Sequence, residues 1–164
     1  MADNMRSVSI GQIVVSNSVA DVLVAYGLGS CVAVSFYDPQ RKVGGMLHAL
    51  LPSAANKNSA PDNPAKFVDL GVPLLLEQVL KLGAVQERLV VRICGGASML
   101  TSPGFKNTLN IGERNVATAR KVLSQLGFSI KAQDTGGNSG RTAKLYVATG
   151  EMTVRTMGQK ERPL

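Results

Sequence analysis

The most informative segment of this chain is GLGSCVAVSFYDPQRKVGGMLHALLP, residues 27–52. Residues 32–37 form an alternating run that predicts a β-strand, and residues 43–51 predict the strand that returns beside it. Residues 38–42 lie between them and carry an Asp and a Pro, which are typical of a turn. The stretch therefore predicts a β-hairpin, and it contains the single histidine and one of the two cysteines of the chain.

The register of this hairpin decides what its cysteine and histidine can do together. If the turn is centred between Pro39 and Gln40, Cys31 and His48 are equally far from the centre and face each other directly. Their Cβ atoms would then lie about 4.5–5.5 Å apart on one face of the sheet. A bulge at residues 44–45 would shift the register by one and turn one side chain to the opposite face.

A thiol beside an imidazole is the minimum arrangement for a sulfur nucleophile. The imidazole accepts the thiol proton, and the resulting ion pair lowers the pKa of the thiol. Cys31 and His48 are therefore candidate catalytic residues. The competing interpretation is that Cys31 is a small buried core residue, which is the commoner fate of a free cysteine. Cys94 has no histidine within reach in the sequence and is assigned to the core.

Gly27 and Gly29 bracket Leu28 just before the cysteine. Glycine tolerates positive φ and close backbone approach, so the backbone N–H groups of Gly29 and Ser30 are candidates to stabilise an oxyanion beside the sulfur. An ordinary tight bend explains the same glycines equally well. This chemistry requires no cofactor, and neither cysteine lies in a metal-ligand pattern.

Composition indicates a globular protein in a single domain, residues 1–164, with a flexible tail at 157–164. The chain is 45% hydrophobic and 18% charged. It contains no apolar run near 20 residues, so no membrane insertion is expected, and the N-terminus lacks the apolar region of a secretion signal. The two cysteines show no paired spacing, which favours a reducing compartment and hence the cytoplasm.

The net charge of +7 is concentrated in the second half of the chain. Residues 106–164 carry ten Lys and Arg against four Asp and Glu. A basic surface of this kind favours an acidic partner. Nucleic acid is not the expected partner, because the basic residues are scattered and no aromatic stacking platform accompanies them. A solvated surface without any partner explains the charge as well.

The remaining patterns predict an α+β fold with two packed mixed β-sheets and two or three helices on the outside. Pro73 predicts a kink or a break in the first helix. A polar connector is predicted at 52–64 and a loop at 102–104. The further predicted strands are 8–15, 20–26, 89–94, 128–133, 141–148 and 151–156, and the predicted helices are 64–82 and 111–126.

Several separated motifs of the chain resemble the chemoreceptor glutamine deamidase family of bacterial chemotaxis, CheD. They are residues 27–32, 37–39, 44–52, 64–69, 95–97, 111–115, 136–137 with 140–141, and 149–150. The resemblance implies hydrolysis of glutamine side chains on the cytoplasmic helices of chemotaxis receptors to glutamate, with release of ammonia. It assigns Cys31 as the nucleophile and His48 as the general base. Many members also bind a CheC-type phosphatase, so the resemblance implies such a partner.

One position departs from the family pattern. Members carry Thr six residues before the cysteine, as a third polar group of the site, and this chain has Ala25 there. Another group must therefore orient His48, either a backbone carbonyl or a hydroxyl elsewhere in the chain. The alternative is a non-catalytic module that binds a CheC-type phosphatase or the receptor, in which Ala25 marks a lost activity.

Overall fold

Two five-stranded β-sheets pack face to face, and two α-helices cover the outer face of one of them. This is a computed structural model that describes residues 3–54, 62–99 and 110–164. The predicted α+β sandwich is confirmed. The strands are β1 (Asn4–Ser7), β2 (Gln12–Ser16), β3 (Asp21–Leu28), β4 (Val32–Asp38), β5 (Val43–Ala49), β6 (Val90–Gly95), β7 (Ile130–Thr135), β8 (Arg141–Tyr146), β9 (Met152–Thr156) and β10 (Arg162–Pro163), and the helices are α1 (Val68–Lys81) and α2 (Ile111–Gln125).

Both sheets are mixed. The first sheet has the order β1-β3-β8-β9-β10 and the second β2-β5-β4-β6-β7. β1 runs parallel to β3, and β7 runs parallel to β6, whereas the other neighbours are antiparallel. The predicted hairpin, β4–β5, lies in the interior of the second sheet. All its strand residues are buried, because the first sheet covers one face and the helices cover the other.

The two faces of the second sheet have separate cores. Between the sheets, Ala33 and Met46 pack with Leu23 and Leu145 of the first sheet. On the outer face, Phe36 and Leu47 belong to the core that the helices complete. Alternation along β4 and β5 therefore decides whether a side chain faces the first sheet or the helices.

The register of β4–β5 differs from the predicted one. Asp38 pairs with Val43, so His48 lies opposite Ala33 and not opposite Cys31. The cause is the Asp38 carboxylate, which accepts hydrogen bonds from the backbone N–H of Gln40 (2.9 Å) and Arg41 (3.2 Å) and so holds a longer loop. The partner of His48 moves by two residues. Since side chains alternate, Cys31 and His48 remain on one face.

The first helix was predicted to begin at residue 64 and to kink or break at Pro73. Residues Pro64–Lys66 instead form a separate 3-10 turn, and α1 begins at Val68 because Phe67 between them is extended. α1 continues through Pro73 to Lys81 as one helix. No helix in the described part of the chain is long and apolar enough to cross a membrane.

The two ends of the chain add strands that the sequence did not predict. β1 pairs with β3. Within the predicted flexible tail, residues 162–163 pair with β9, and the N–H of Leu164 donates to the Met152 carbonyl at 2.8 Å. The end of that tail is therefore held against the first sheet. The predicted loop 102–104 and most of the connector 52–64 lie outside the described residues.

Candidate active site

Cys31 and His48 lie at one end of the β4–β5 hairpin, on the face toward the first sheet. Cys31 directly precedes β4 and packs in the same cluster as Ala33 and Met46. His48 lies opposite Ala33, so Cys31 is its diagonal neighbour. Diagonal neighbours lie about 7–8 Å apart, with their Cβ atoms somewhat closer, a separation that an aromatic side chain can bridge. Cys31 is 5% exposed and His48 2% exposed.

The tautomer of His48 is fixed by one hydrogen bond. Its Nδ1 lies 2.8 Å from the Val8 carbonyl oxygen. A carbonyl can only accept, so Nδ1 carries the proton and Nε2 keeps its lone pair. Nε2 is buried and has no partner among the residues that the structure describes. His48 is thus an oriented, neutral imidazole with one basic nitrogen available.

The carbonyl that orients His48 belongs to Val8, the first residue of the predicted strand 8–15, which in the structure lies before β2 (Gln12–Ser16). Val8 directly follows β1, and its N–H donates to the Val24 carbonyl at 2.7 Å, which continues the pairing with β3. Ala25 is fully buried between the sheets. Of the two alternatives for the orienting group, the structure has the backbone carbonyl. Sequence reasoning could not locate it, because a carbonyl belongs to every residue and carries no side-chain signal.

Backbone hydrogen bonds hold the loop of residues 29–31 on two sides. The Gly29 carbonyl accepts from the N–H of Ala97, and the Cys31 carbonyl accepts from the N–H of Gly96, both at 2.8 Å. Gly96 has φ +68, and a Cβ on Gly95 would lie 2.3 Å from the Cys31 carbonyl oxygen. The glycines after β6 therefore allow the chain to approach the cysteine loop closely.

A side chain holds the third carbonyl of this loop. Asn115 of α2 donates through Nδ2 to the Ser30 carbonyl at 2.8 Å and to the Leu50 carbonyl at 3.0 Å. Asn115 is fully buried. It lies within a stretch that resembles the deamidase family, but no pattern in the sequence assigns it a role, because residues 30 and 115 are far apart in the chain.

The anchored carbonyls fix the directions of the next amides. In a trans peptide the C=O and the following N–H point in opposite directions. The bonds to the Gly29 and Ser30 carbonyls therefore orient the N–H groups of Ser30 and Cys31. No residue in the described ranges accepts a hydrogen bond from either group. The N–H of Gly29 also has no acceptor among the described residues. The oxyanion pair of Gly29 and Ser30 therefore stays a prediction, with the N–H of Cys31 as a third candidate donor.

Burial keeps both reactive groups neutral. It raises the pKa of the Cys31 thiol, although the backbone N–H of Cys31 acts in the opposite direction. It lowers the pKa of His48, although the hydrogen bond to Val8 acts in the opposite direction. Near neutral pH the resting pair is therefore thiol and imidazole, and not the ion pair that the sequence led us to expect.

Cys94, the second cysteine, lies in the core between the two sheets. It lies on β6 opposite Ala33, is fully buried, and has its pKa raised to about 11 by burial. Its assignment to the core stands. No group of three His, Cys, Asp or Glu side chains within residues 3–54, 62–99 and 110–164 could hold a metal ion.

Comparison with known proteins finds one family and several similar chains. The family model CheD, described as chemotactic sensory transduction, matches residues 50–156. The chain is 43% identical over 157 residues to the Thermotoga maritima chemoreceptor glutamine deamidase CheD, covering 96% of this chain and 95% of the relative. It is 50% identical over 134 residues to the probable deamidase of Pyrococcus abyssi, covering 82% and 81%. For the probable deamidase CheD 1 of Syntrophus aciditrophicus the identity is 42% over 158 residues, covering 96% and 97%.

Proposed function

We propose that this chain, which belongs to the CheD family, hydrolyses glutamine side chains of chemoreceptors to glutamate and releases ammonia. The observation that carries this proposal is the state of His48. Its Nδ1 is occupied by the Val8 carbonyl, and its Nε2 is left without a partner in the described structure, on the face that holds Cys31.

The first half of the reaction forms a thioester. His48 Nε2 takes the thiol proton of Cys31 as the sulfur attacks the carboxamide carbon of the substrate. The C=O electrons move to oxygen, and the N–H groups of Ser30 and Cys31 stabilise that oxyanion. The intermediate collapses by breaking the C–N bond, and the imidazolium gives its proton to the departing ammonia.

The second half returns the enzyme to its resting state. Water attacks the thioester carbon while His48 Nε2 takes a proton from it. The C–S bond breaks, the substrate leaves as glutamate, and His48 returns the proton to the Cys31 sulfur. The net reaction consumes one water and releases one ammonia for each glutamine.

The neutral resting pair suits this sequence of steps. A buried thiol with a raised pKa is a poor nucleophile until a base removes its proton. The proton transfer is then coupled to the attack on a bound amide, and the sulfur is less open to oxidation or alkylation between turnovers.

The proposed setting is the cytoplasm, with the cytoplasmic helices of a chemoreceptor as substrate. The basic second half of the chain supports an acidic partner. A CheC-type phosphatase is the second proposed partner, on the resemblance of the sequence to its family.

The test is mass spectrometry of a purified chemoreceptor cytoplasmic fragment incubated with the protein. Deamidation adds about one dalton per glutamine, because OH replaces NH₂ in the hydrolysis. Hydroxylamine should divert a thioester to a hydroxamate about 16 Da heavier than glutamine. Both shifts should vanish with Cys31→Ala.

Cys94→Ala is the matched control, since it makes the same change in the same inter-sheet core. It should retain the mass shift. A wild type that binds the fragment without any mass shift would instead support the binding-module alternative. Equal loss of the shift in both cysteine variants would contradict the assignment of Cys31 as the nucleophile.

A further inference from the structure

We infer that Asn115 is a positioning residue that aims the oxyanion-binding N–H of Cys31, a role that rests on the proposed function. Its amide joins α2 to the two chain segments that carry Cys31 and His48. It reaches from α2 to the loop before β4 through Ser30 and to the end of β5 through Leu50. Cys31 follows the first of these carbonyls directly, and His48 lies two residues before the second.

The chemistry of the site requires an amide. Two carbonyl oxygens face Asn115 at 2.8 and 3.0 Å. Carbonyls only accept, so both must receive a proton from Nδ2, and an NH₂ group has two to give. A carboxylate of the same shape has no proton for either oxygen. Aspartate would therefore repel both carbonyls, although it fills the same space.

The other half of the Asn115 side chain makes no hydrogen bond within the described residues, although its Oδ1 is buried. Buried polar atoms in native proteins almost always have a partner. Here the amide is kept for its two donors, which both lie at the proposed site.

Close packing of α2 against the loop after β6 holds Asn115 in reach. Gly112 lies in the first turn of α2, and a Cβ there would be 2.3 Å from the Ala97 carbonyl oxygen. A Cβ on Gly96 would be 2.2 Å from Val116. Two glycines in contact thus bring the helix onto the same loop whose N–H groups hold residues 29 and 31.

The consequence for catalysis follows from the planar peptide. Ser30 C=O and Cys31 N–H belong to one peptide unit and point in opposite directions. Holding the carbonyl on Asn115 turns the N–H away from the helix. If the carbonyl is released, the peptide can rotate, and the donor is lost from the oxyanion. Asn115 then acts on the transition state through Cys31 and never touches the substrate.

The test compares Asn115→Asp with wild type in the receptor deamidation assay. We expect kcat to fall about 100-fold, the usual effect of losing one oxyanion donor, with KM within about twofold because ground-state binding is unaffected. Alkylation of Cys31 by iodoacetamide forms no oxyanion. Its rate should stay within about threefold of wild type, since the thiol itself is unchanged.

Asn63→Asp is the matched control. It removes the same kind of bond, from Asn63 Nδ2 to the Gly11 carbonyl at 2.9 Å, at an exposed position. It should leave kcat unchanged. Asn115→Ser keeps one donor for two carbonyls and serves as the second variant where Asn115→Asp does not fold. It should lower kcat about tenfold, which corresponds to partial loss of one oriented donor.

Three results would overturn the role. If Asn115→Asp or Asn115→Ser folds and keeps the wild-type kcat, Asn115 does not position the Cys31 N–H. If kcat and the alkylation rate fall by the same factor and Tm also falls, Asn115 is a structural residue only. A wild type that causes no mass shift overturns the proposed function, and the role of Asn115 with it.

Discussion

The two ends of the β4–β5 hairpin differ in how far their buried polar groups are hydrogen-bonded. At the turn, Asp38 is fully buried, and its carboxylate accepts from the backbone N–H groups of Gln40, Arg41 and Val85. Arg88 adds two further bonds, from Nε at 3.1 Å and Nη2 at 2.9 Å. Burial alone would raise the pKa of Asp38, but these bonds outweigh it and hold the pKa well below its ordinary value.

The other end of the same two strands leaves polar atoms open. His48 Nε2 and Asn115 Oδ1 are buried without a partner in the described residues. An unsatisfied buried group costs about 1–3 kcal/mol. The hairpin is therefore stabilised at its turn, whereas its far end keeps reactive groups without a hydrogen-bond partner in the described structure. Real proteins break the rule of satisfied polar groups chiefly at functional sites.

The largest expected effect is at the end of the hairpin that carries His48, where activity and stability should respond differently to one substitution. His48→Gln removes the base, so kcat for receptor deamidation should fall about 10³-fold, within the range typical of general-base catalysis. The free energy of unfolding at pH 7.5 should change by less than about 1 kcal/mol, because the bond to Val8 can be kept by the glutamine amide. The first quantity comes from mass spectrometry and the second from urea unfolding. Retention of more than a tenth of kcat would remove His48 from the mechanism.

A substitution of Asp38 at the turn should give the converse result, a loss of stability without a loss of activity. Asp38→Asn weakens the bonds from Arg88 and leaves its charge without an acid in the described structure. We expect the free energy of unfolding to fall by about 3 kcal/mol, the lower end for a broken buried pair, since Arg88 is partly exposed. The kcat of the folded fraction should stay within about twofold of wild type, because Asp38 is at the far end of both strands.

The control for this prediction is Glu77→Gln. Glu77 and Lys81 form an exposed ion pair on α1 at 3.1 Å. Exposed ion pairs contribute little to stability, so the free energy of unfolding should change by less than about 0.5 kcal/mol. If Asp38→Asn and Glu77→Gln lose the same free energy of unfolding, burial of a carboxylate does not determine how much it contributes to stability.

The same hairpin shows how far the sequence could go. Alternation in residues 32–37 and the turn residues after them were sufficient to predict β4, β5 and the shared face of Cys31 and His48. The register was wrong because it depends on where the Asp38 carboxylate finds its donors. Two of those donors, Gln40 and Arg41, lie in the loop itself, and the other two, Val85 and Arg88, lie 47 and 50 residues further along the chain. Periodicity cannot report such contacts.

The missed parts of the site share one physical cause. Val8 contributes only a carbonyl, and Asn115 contributes a bond between residues distant in sequence. β1 has four exposed residues and no alternating pattern, so neither hydrophobicity nor turn chemistry predicts it. The side chains that carry chemistry could be found from the sequence, whereas the groups that orient them depend on how the two sheets and α2 assemble.

The pH dependence of stability distinguishes the two ends, because their groups titrate in different ranges. The pKa of His48 is lowered below its ordinary 6.5 by burial, so the unfolded chain binds the proton first as pH falls. Stability should therefore be full above about pH 6.5 and decline below it. The pKa of Asp38 is lowered below its ordinary 3.8, so its contribution should persist through that range and be lost only below about pH 4. Urea unfolding between pH 7.5 and 5 should show the first decline in wild type and in Asp38→Asn, but not in His48→Gln. If the stability of His48→Gln declines as steeply as that of wild type in that range, burial does not hold the imidazole neutral. The contrast between the two ends of the hairpin then fails at the end that carries His48.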